Sequence, residues 1–117
     1  MATVDVGNGL VELVTRGAFL EAIKKYYNDD IVSVEPIGNP NEVQGIDAVL
    51  GKHDWWTNNF EVHSAEVEGP FVNGDEFAVR YALDATAKQS GQRSTLVEIA
   101  VYTVKDDKIV HERFLSA

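Results

Sequence analysis

The chain has 117 residues, 44% hydrophobic and 25% charged, a size and balance that allow one folded domain with one core and argue against disorder. Ten Lys and Arg against nineteen Asp and Glu leave a net charge of −9, which opposes binding to phosphate backbones and anionic lipid surfaces. Cysteine is absent, which excludes disulfides, thiolate metal sites and thiol nucleophiles.

The opening MATVDVGNG lacks the basic and apolar regions of a signal peptide, and no apolar run reaches the ~20 residues of a membrane span. A cytoplasmic location follows as the expectation, with neither nucleic acid nor membrane as partner. Over residues 5–16, Leu10, Leu13 and Val14 fall at helical spacing until Gly17 breaks the pattern. A second helix over 18–27 carries Phe19, Leu20, Ile23 and Tyr27 as one stripe, with Glu21, Lys24 and Lys25 toward water. Ile31, Val32, Ser33 and Val34 then read as a strand over 31–36, ended by Glu35 and Pro36, and GNPNEVQG reads as a loop. A third helix begins near Ile46, where Ile46, Val49, Leu50, His53, Trp56 and Phe60 recur at helical spacing. His53 and Trp56 therefore lie on its buried face, with Lys52 and Trp55 beside it. Strand patterns fill the rest. Residues 62–72 lead through Asn73-Gly74-Asp75, a hairpin signal, into 77–87; KQSGQR turns into 95–104, and KDDK into 109–115. Helices followed by an antiparallel meander predict an α+β fold, a single domain over 1–117 with its helices on one face of a curved sheet.

A regular hairpin through KQSGQR sets Val97 opposite Asp84, Ile99 opposite Ala82 and Val101 opposite Arg80. The other face carries Phe77, Val79, Tyr81 and Leu83 opposite Val104, Tyr102, Ala100 and Glu98 and meets the helices. Val97, Ile99 and Val101 would then form an apolar stripe in water, which predicts a homodimer through the sheet. The last hairpin has two readings. A three-residue KDD loop with Asp107 left-handed turns Val110, Glu112 and Phe114 inward, with Glu112 opposite Ala100. A two-residue turn at Asp106 and Asp107 turns His111 and Arg113 inward instead. The first suits a core better.

This order of elements, with SVEP on the first strand, GIDAVLGKHDWW opening the third helix and the ending VYTVKDDKIVHERF, resembles the SnoaL-like branch of the nuclear transport factor 2-like superfamily over essentially the whole chain. The resemblance implies a cone-shaped roll, a bent sheet around a long helix enclosing a deep apolar pocket, often in dimers joined sheet to sheet. Ketosteroid isomerases of that superfamily place a carboxylate base on the first strand just before a proline, and Glu35 followed by Pro36 looks like that position. The oxyanion acid of the penultimate strand falls on Ala100 and the first-helix tyrosine near Val11. Tyr27 matches a supporting position. Steroid isomerisation itself is therefore not what the residues favour.

Glu35 reads as a general base desolvated by the pocket, or as a strand-end glutamate reaching solvent. Glu98 and Glu112 read as neutral acids donating to a substrate oxygen, or as core carboxylates paired with Arg80, Arg93 or Arg113. His53 reads as a proton shuttle between carboxylates, or as a satisfied core histidine. Tyr27, Trp56, Phe60, His63, Tyr81, Tyr102 and Phe114 are the candidate ligand-binding residues, though aromatics are first of all core residues. The histidines lack any recognised metal spacing, GNG at 7–9 has no preceding strand, and neither a phosphate loop nor a nucleophile elbow is present, so no metal and no cofactor is expected. The reading is an enzyme that abstracts a proton next to a carbonyl of a small apolar or aromatic organic ligand, of isomerase or cyclase type. Glu35 acts as base and Glu98 or Glu112, through His53, as acid. The alternative is a binding or assembly module on the same fold. An open cavity with two or more carboxylates favours the first, and a cavity filled by Trp56, Tyr81 and Phe114 favours the second.

Overall fold

The computed structural model describes residues 2–116. Its elements run α1 (Ala2–Thr15), α2 (Phe19–Tyr26), β1 (Tyr27–Val34), β2 (Glu42–Gln44), α3 (Ile46–Asn59), β3 (Phe60–Asn73), β4 (Glu76–Ala87), β5 (Arg93–Lys105) and β6 (Lys108–Ser116). Gly17, at φ 78°, ends α1. The Gly17 N–H donates to the Val14 carbonyl and the Ala18 N–H to the Leu13 carbonyl, the paired bonds of a left-handed helix stop. α2 and α3 end without a loop. Tyr27 and Phe60 donate to the last helical turn from extended backbone and each is already the first residue of a strand.

The strands form one unclosed sheet in the order β2-β1-β6-β5-β4-β3, antiparallel throughout except for the parallel pair β1 and β6. Its inner face carries Phe77, Val79, Tyr81 and Leu83 of β4 and Ala100, Tyr102 and Val104 of β5, all buried, against Val6, Leu10, Leu13 and Val14 of α1. Among the described residues, register irregularities bend the sheet in β3 at His63 and at Gly69-Pro70, in β6 at Val110 and in β1 between Tyr27 and Val32. Gly69 is obligatory at its bulge, because φ is 128° and a Cβ would lie 2.8 Å from the Ala78 carbonyl oxygen. Among the described residues no helix is long and apolar enough to cross a membrane.

Several details depart from the sequence reading. GNPNEVQG is not wholly a loop: Glu42–Gln44 pair with β1 as a short strand. The first strand begins at Tyr27 and stops at Val34, so Tyr27 belongs to a strand and Glu35 lies just beyond one. The β4–β5 hairpin is displaced by two residues, with Asp84 opposite Thr95, Ala82 opposite Val97 and Arg80 opposite Ile99. A shift of two keeps every side chain on its expected face. The KDDK turn is the two-residue form, with Asp106 at φ 53° and Asp107 at φ 64°. The flip this should cause is undone by the bulge at Val110, so Glu112 and Phe114 point inward, opposite Tyr102 and Ala100. Ile109, not Val110, is the buried residue there.

Candidate functional site

Where α2, α3 and the inner face of the sheet diverge, they leave a cavity of about 850 Å³. Leu10, Val14, Phe19, Ala22 and Ile23 supply an apolar wall, and Glu35, Glu98, Glu112, Lys52 and His53 supply the ionisable groups. Alternation on three neighbouring strands brings the polar groups together. Ser33 on β1, Glu112 on β6 and Tyr102 on β5 are register partners in one row, and Glu98 lies opposite Tyr81 on β4.

Glu112 is the floor of the site. It is 2% exposed. Its Oε1 accepts a short hydrogen bond from the Tyr27 hydroxyl, and its Oε2 accepts one from Ser33 Oγ at 2.7 Å. Burial raises its carboxyl above the usual range, and the two hydroxyl donors and Lys52 only partly offset this. Burial, reinforced by the charge of Glu112, pushes the Tyr27 hydroxyl up as well. Tyr81 and Tyr102 join hydroxyls at 2.7 Å, and burial raises both.

Glu98 differs. It is half-buried, and among the described residues no side chain hydrogen-bonds to it or forms an ion pair with it. Burial raises its carboxyl first, the negative charges of Glu35 and Glu112 raise it further, and Lys52 opposes them. The expected alternative of an arginine partner does not hold: Arg80 pairs with Glu68, Arg93 with Asp84, and Arg113 points to the outer face.

Glu35 occupies the rim. Its backbone N–H donates to the Asn41 carbonyl at 2.7 Å, which pins the loop, and its carboxylate meets Lys52 Nζ at 2.5 Å with 41% of the side chain exposed. A desolvated base ending an apolar strand is thus not what this position holds. Lys52 also donates to Ser33 Oγ at 2.8 Å and lies 5.5 Å from the Phe114 ring centroid. The sequence reading left Lys52 and Ser33 out of the site. Both carried a signal: Lys52 follows Val49 by three and precedes Trp56 by four, and Ser33 interrupts an apolar strand on the parity of Ile31.

His53 lines the cavity but hydrogen-bonds to no carboxylate among the described residues. Of the aromatic candidates, Tyr27, Trp56, Tyr81, Tyr102 and Phe114 reach this cavity. Phe60 and His63 do not. They line a second, smaller cavity of about 540 Å³, separated from the first by Phe19, His53, Trp56 and Leu83. Phe60 stacks on Trp56 at 4.2 Å, and His63, the extra residue of its bulge, hydrogen-bonds Thr86 Oγ1 at 2.7 Å. Among the described residues no group of three or more His, Asp and Glu is placed to hold a metal ion.

The family model of the SnoaL-like domain matches residues 1–116. A Mesorhizobium loti protein provisionally named a SnoaL-like polyketide cyclase [carbohydrate phosphatase] is 42% identical in sequence and superimposes with a TM-score of 0.93, over 98% of this chain and 99% of that one. Two more distant structures share the fold: an NTF2-like protein of Burkholderia pseudomallei, 16% identical over 100% of this chain and 92% of its own (TM-score 0.82), and a protein of Jannaschia sp. CCS1 also provisionally named a SnoaL-like polyketide cyclase, 17% identical over 95% and 87% (TM-score 0.77). No functionally curated protein matches the chain. With the family model spanning nearly its whole length and a 42% identical relative of the same architecture, this chain belongs to the SnoaL-like family, a branch of the nuclear transport factor 2-like superfamily.

Proposed function

We propose that the protein is a cofactor-independent acid–base enzyme of cyclase or isomerase type, with Glu98 as the group that moves the proton. The observation that carries this reading is a carboxyl with no side-chain partner among the described residues, facing an open cavity of about 850 Å³ beside a pair of tyrosine hydroxyls. As carboxylate, Glu98 takes a proton from the carbon next to a substrate carbonyl. With the Tyr102 hydroxyl donating to its tyrosine neighbours, the Tyr81 proton is left to donate to the carbonyl oxygen as charge develops there. The protonated Glu98 then returns its proton to a different carbon, giving an isomer, or to the alkoxide formed when the enolate carbon attacks a second carbonyl of the same molecule, giving a ring. A carboxyl raised toward the working pH suits both directions of transfer. Three carboxyls against one lysine among the described lining residues make the lining net negative when ionised, which disfavours an anionic ligand, and the wall suits an apolar or aromatic body. The names of the Mesorhizobium and Jannaschia relatives support the cyclase class.

The test follows hydrogen–deuterium exchange at carbons next to the carbonyl, by proton NMR in heavy water, across a panel of uncharged aromatic ketones and 1,3-diketones. Exchange above the buffer rate that is lost in Glu98→Gln supports the reading. Compounds that shift the protein's amide signals yet exchange no faster than in buffer would make it a binding module instead.

The outer sheet face supports a homodimer as part of the same proposal. Ile99 and Leu115 are cross-strand partners there, 36% and 37% exposed, flanked by Val97 and Val101. Ile99→Asp places a charge in the middle of that face. Light scattering at micromolar protein should give a dimer for wild type and a monomer for the variant, and a monomeric wild type would refute this arrangement.

A further inference from the structure

Between the buried floor of the cavity and its exposed rim runs one line of contacts: Tyr27 hydroxyl to Glu112, Ser33 hydroxyl to Glu112 at 2.7 Å, Lys52 ammonium to Ser33 at 2.8 Å and Lys52 to Glu35 at 2.5 Å. The donors in this line have a fixed sense. An ammonium has three protons and no lone pair, so the Ser33 oxygen must accept from Lys52 and has its own proton free only for Glu112. Lys52 thereby reinforces the orientation in which that hydroxyl donates to Glu112. It is also the only cationic Lys or Arg lining the cavity among the described residues.

We propose that Lys52 is the positioning residue of the site: it holds the Ser33 hydroxyl on Glu112 from one side and Glu35 from the other, and so ties the buried carboxyl to the rim. The groups facing the two inner carboxyls are few. Among the described residues, β1 presents Tyr27 and Ser33 and, just beyond its end, Glu35; α3 presents Lys52 and His53; β4 presents Tyr81; β5 presents Tyr102 and Glu98 itself; β6 presents Glu112 and, at its end, Ser116; α1 and α2 present apolar side chains. Lys52 opposes the upward pull of burial on both Glu98 and Glu112. Its loss acts on Glu98 through charge, its own and that of the Glu35 carboxylate it no longer holds, and on Glu112 through the same charges and a loosened Ser33 hydroxyl. The two carboxyls therefore respond differently to one substitution.

The experiment titrates the side-chain carboxyls of the full chain by carbon NMR, with Glu98 and Glu112 signals assigned from Glu98→Gln and Glu112→Gln, in wild type, Lys52→Met, Ser33→Ala and the double variant. Amide spectra check that each variant keeps its fold. In Lys52→Met both midpoints should move to higher pH. In Ser33→Ala the Glu112 midpoint should rise and that of Glu98 should stay. Lys52→Met should then move Glu112 less in the Ser33→Ala background than in wild type. Unmoved midpoints in Lys52→Met, or an equal movement of Glu112 in both backgrounds, would overturn the proposal. If Lys52→Met does not fold, an unmoved Glu112 in Ser33→Ala overturns it alone. These titrations need no substrate. Only one consequence rests on the acid–base reading above, that the rising limb of the deuterium-exchange rate moves to higher pH in Lys52→Met, so failure of that reading and failure of this one are separable.

Discussion

Glu112 and Glu98 face the same cavity from neighbouring strands, and burial is the first cause that raises each carboxyl. Their surroundings are otherwise opposite. Glu112 accepts from Tyr27 and Ser33, each fixed to β1, and is sealed from solvent. Glu98 has a tyrosine opposite it, two carboxyls nearby and no partner among the described residues. The difference teaches that desolvation alone does not mark a reactive group. A buried carboxyl whose two oxygens each already accept a hydrogen bond ties strands together, whereas one that faces the cavity without a side-chain partner is available to a ligand.

The largest effect that would sharpen the contrast is on turnover. Glu98→Gln preserves shape and removes the exchangeable acid, and should lower deuterium exchange on a responsive ketone by roughly 10²- to 10⁴-fold, the range for loss of a general acid–base group. The amide spectrum should stay wild-type. An unchanged rate would move the chemistry elsewhere in the cavity and break the distinction drawn between the two carboxyls.

Next in size is stability. Glu112→Ala leaves the Tyr27 and Ser33 hydroxyls without their acceptor in a buried place, and should cost about 2–3 kcal/mol in urea unfolding, from a penalty of roughly 1–3 kcal/mol per unsatisfied buried group with partial rescue by water. Glu98→Ala strands no partner and should cost clearly less. If the two costs are equal, Glu112 is not the anchor its contacts describe.

How much of this was written in the residue order varies with the range of the interaction. Alternation along β4 and β5 correctly assigned Phe77, Tyr81, Glu98 and Tyr102 to one face, because a period of two is a local property of extended backbone. Hairpin register is less local, and the β4–β5 loop closed two residues away from its expected place without disturbing the faces. β6 needed two departures that cancel, a two-residue turn and a bulge at Val110, and no pattern in KDDKIVHERF announces the pair. β2 escaped notice because three residues, Glu42–Gln44, are too few to show alternation. The family resemblance drew attention to Glu35, yet its partner Lys52 is 17 residues away, on a helix whose packing against β1 decides the contact. That no described side chain pairs with Glu98 is likewise a tertiary fact: a partnered and an unpartnered carboxylate look alike in a sequence.

The smallest expected effect is on pH dependence, and here the two carboxyls share a sign and differ in offset. Each has a folded carboxyl raised above its unfolded value, so the fold favours the protonated form. Stability from that preference is fully present below the unfolded carboxylate range and is lost as pH rises through the raised folded value. Replacing Glu98 with Gln removes its part of the loss. The melting midpoints of Glu98→Gln and wild type should therefore nearly coincide near about pH 4 and separate in favour of the variant toward about pH 8, above the ~4.3 of a free glutamate. Glu112→Gln should show the same trend displaced downward at every pH, because an amide offers one acceptor oxygen where Tyr27 and Ser33 found two. A Glu98→Gln difference that stays constant over this range would mean that Glu98 ionises as freely as a surface glutamate. The shared burial that leaves partner count as the difference between the two carboxyls would then be absent from one of them.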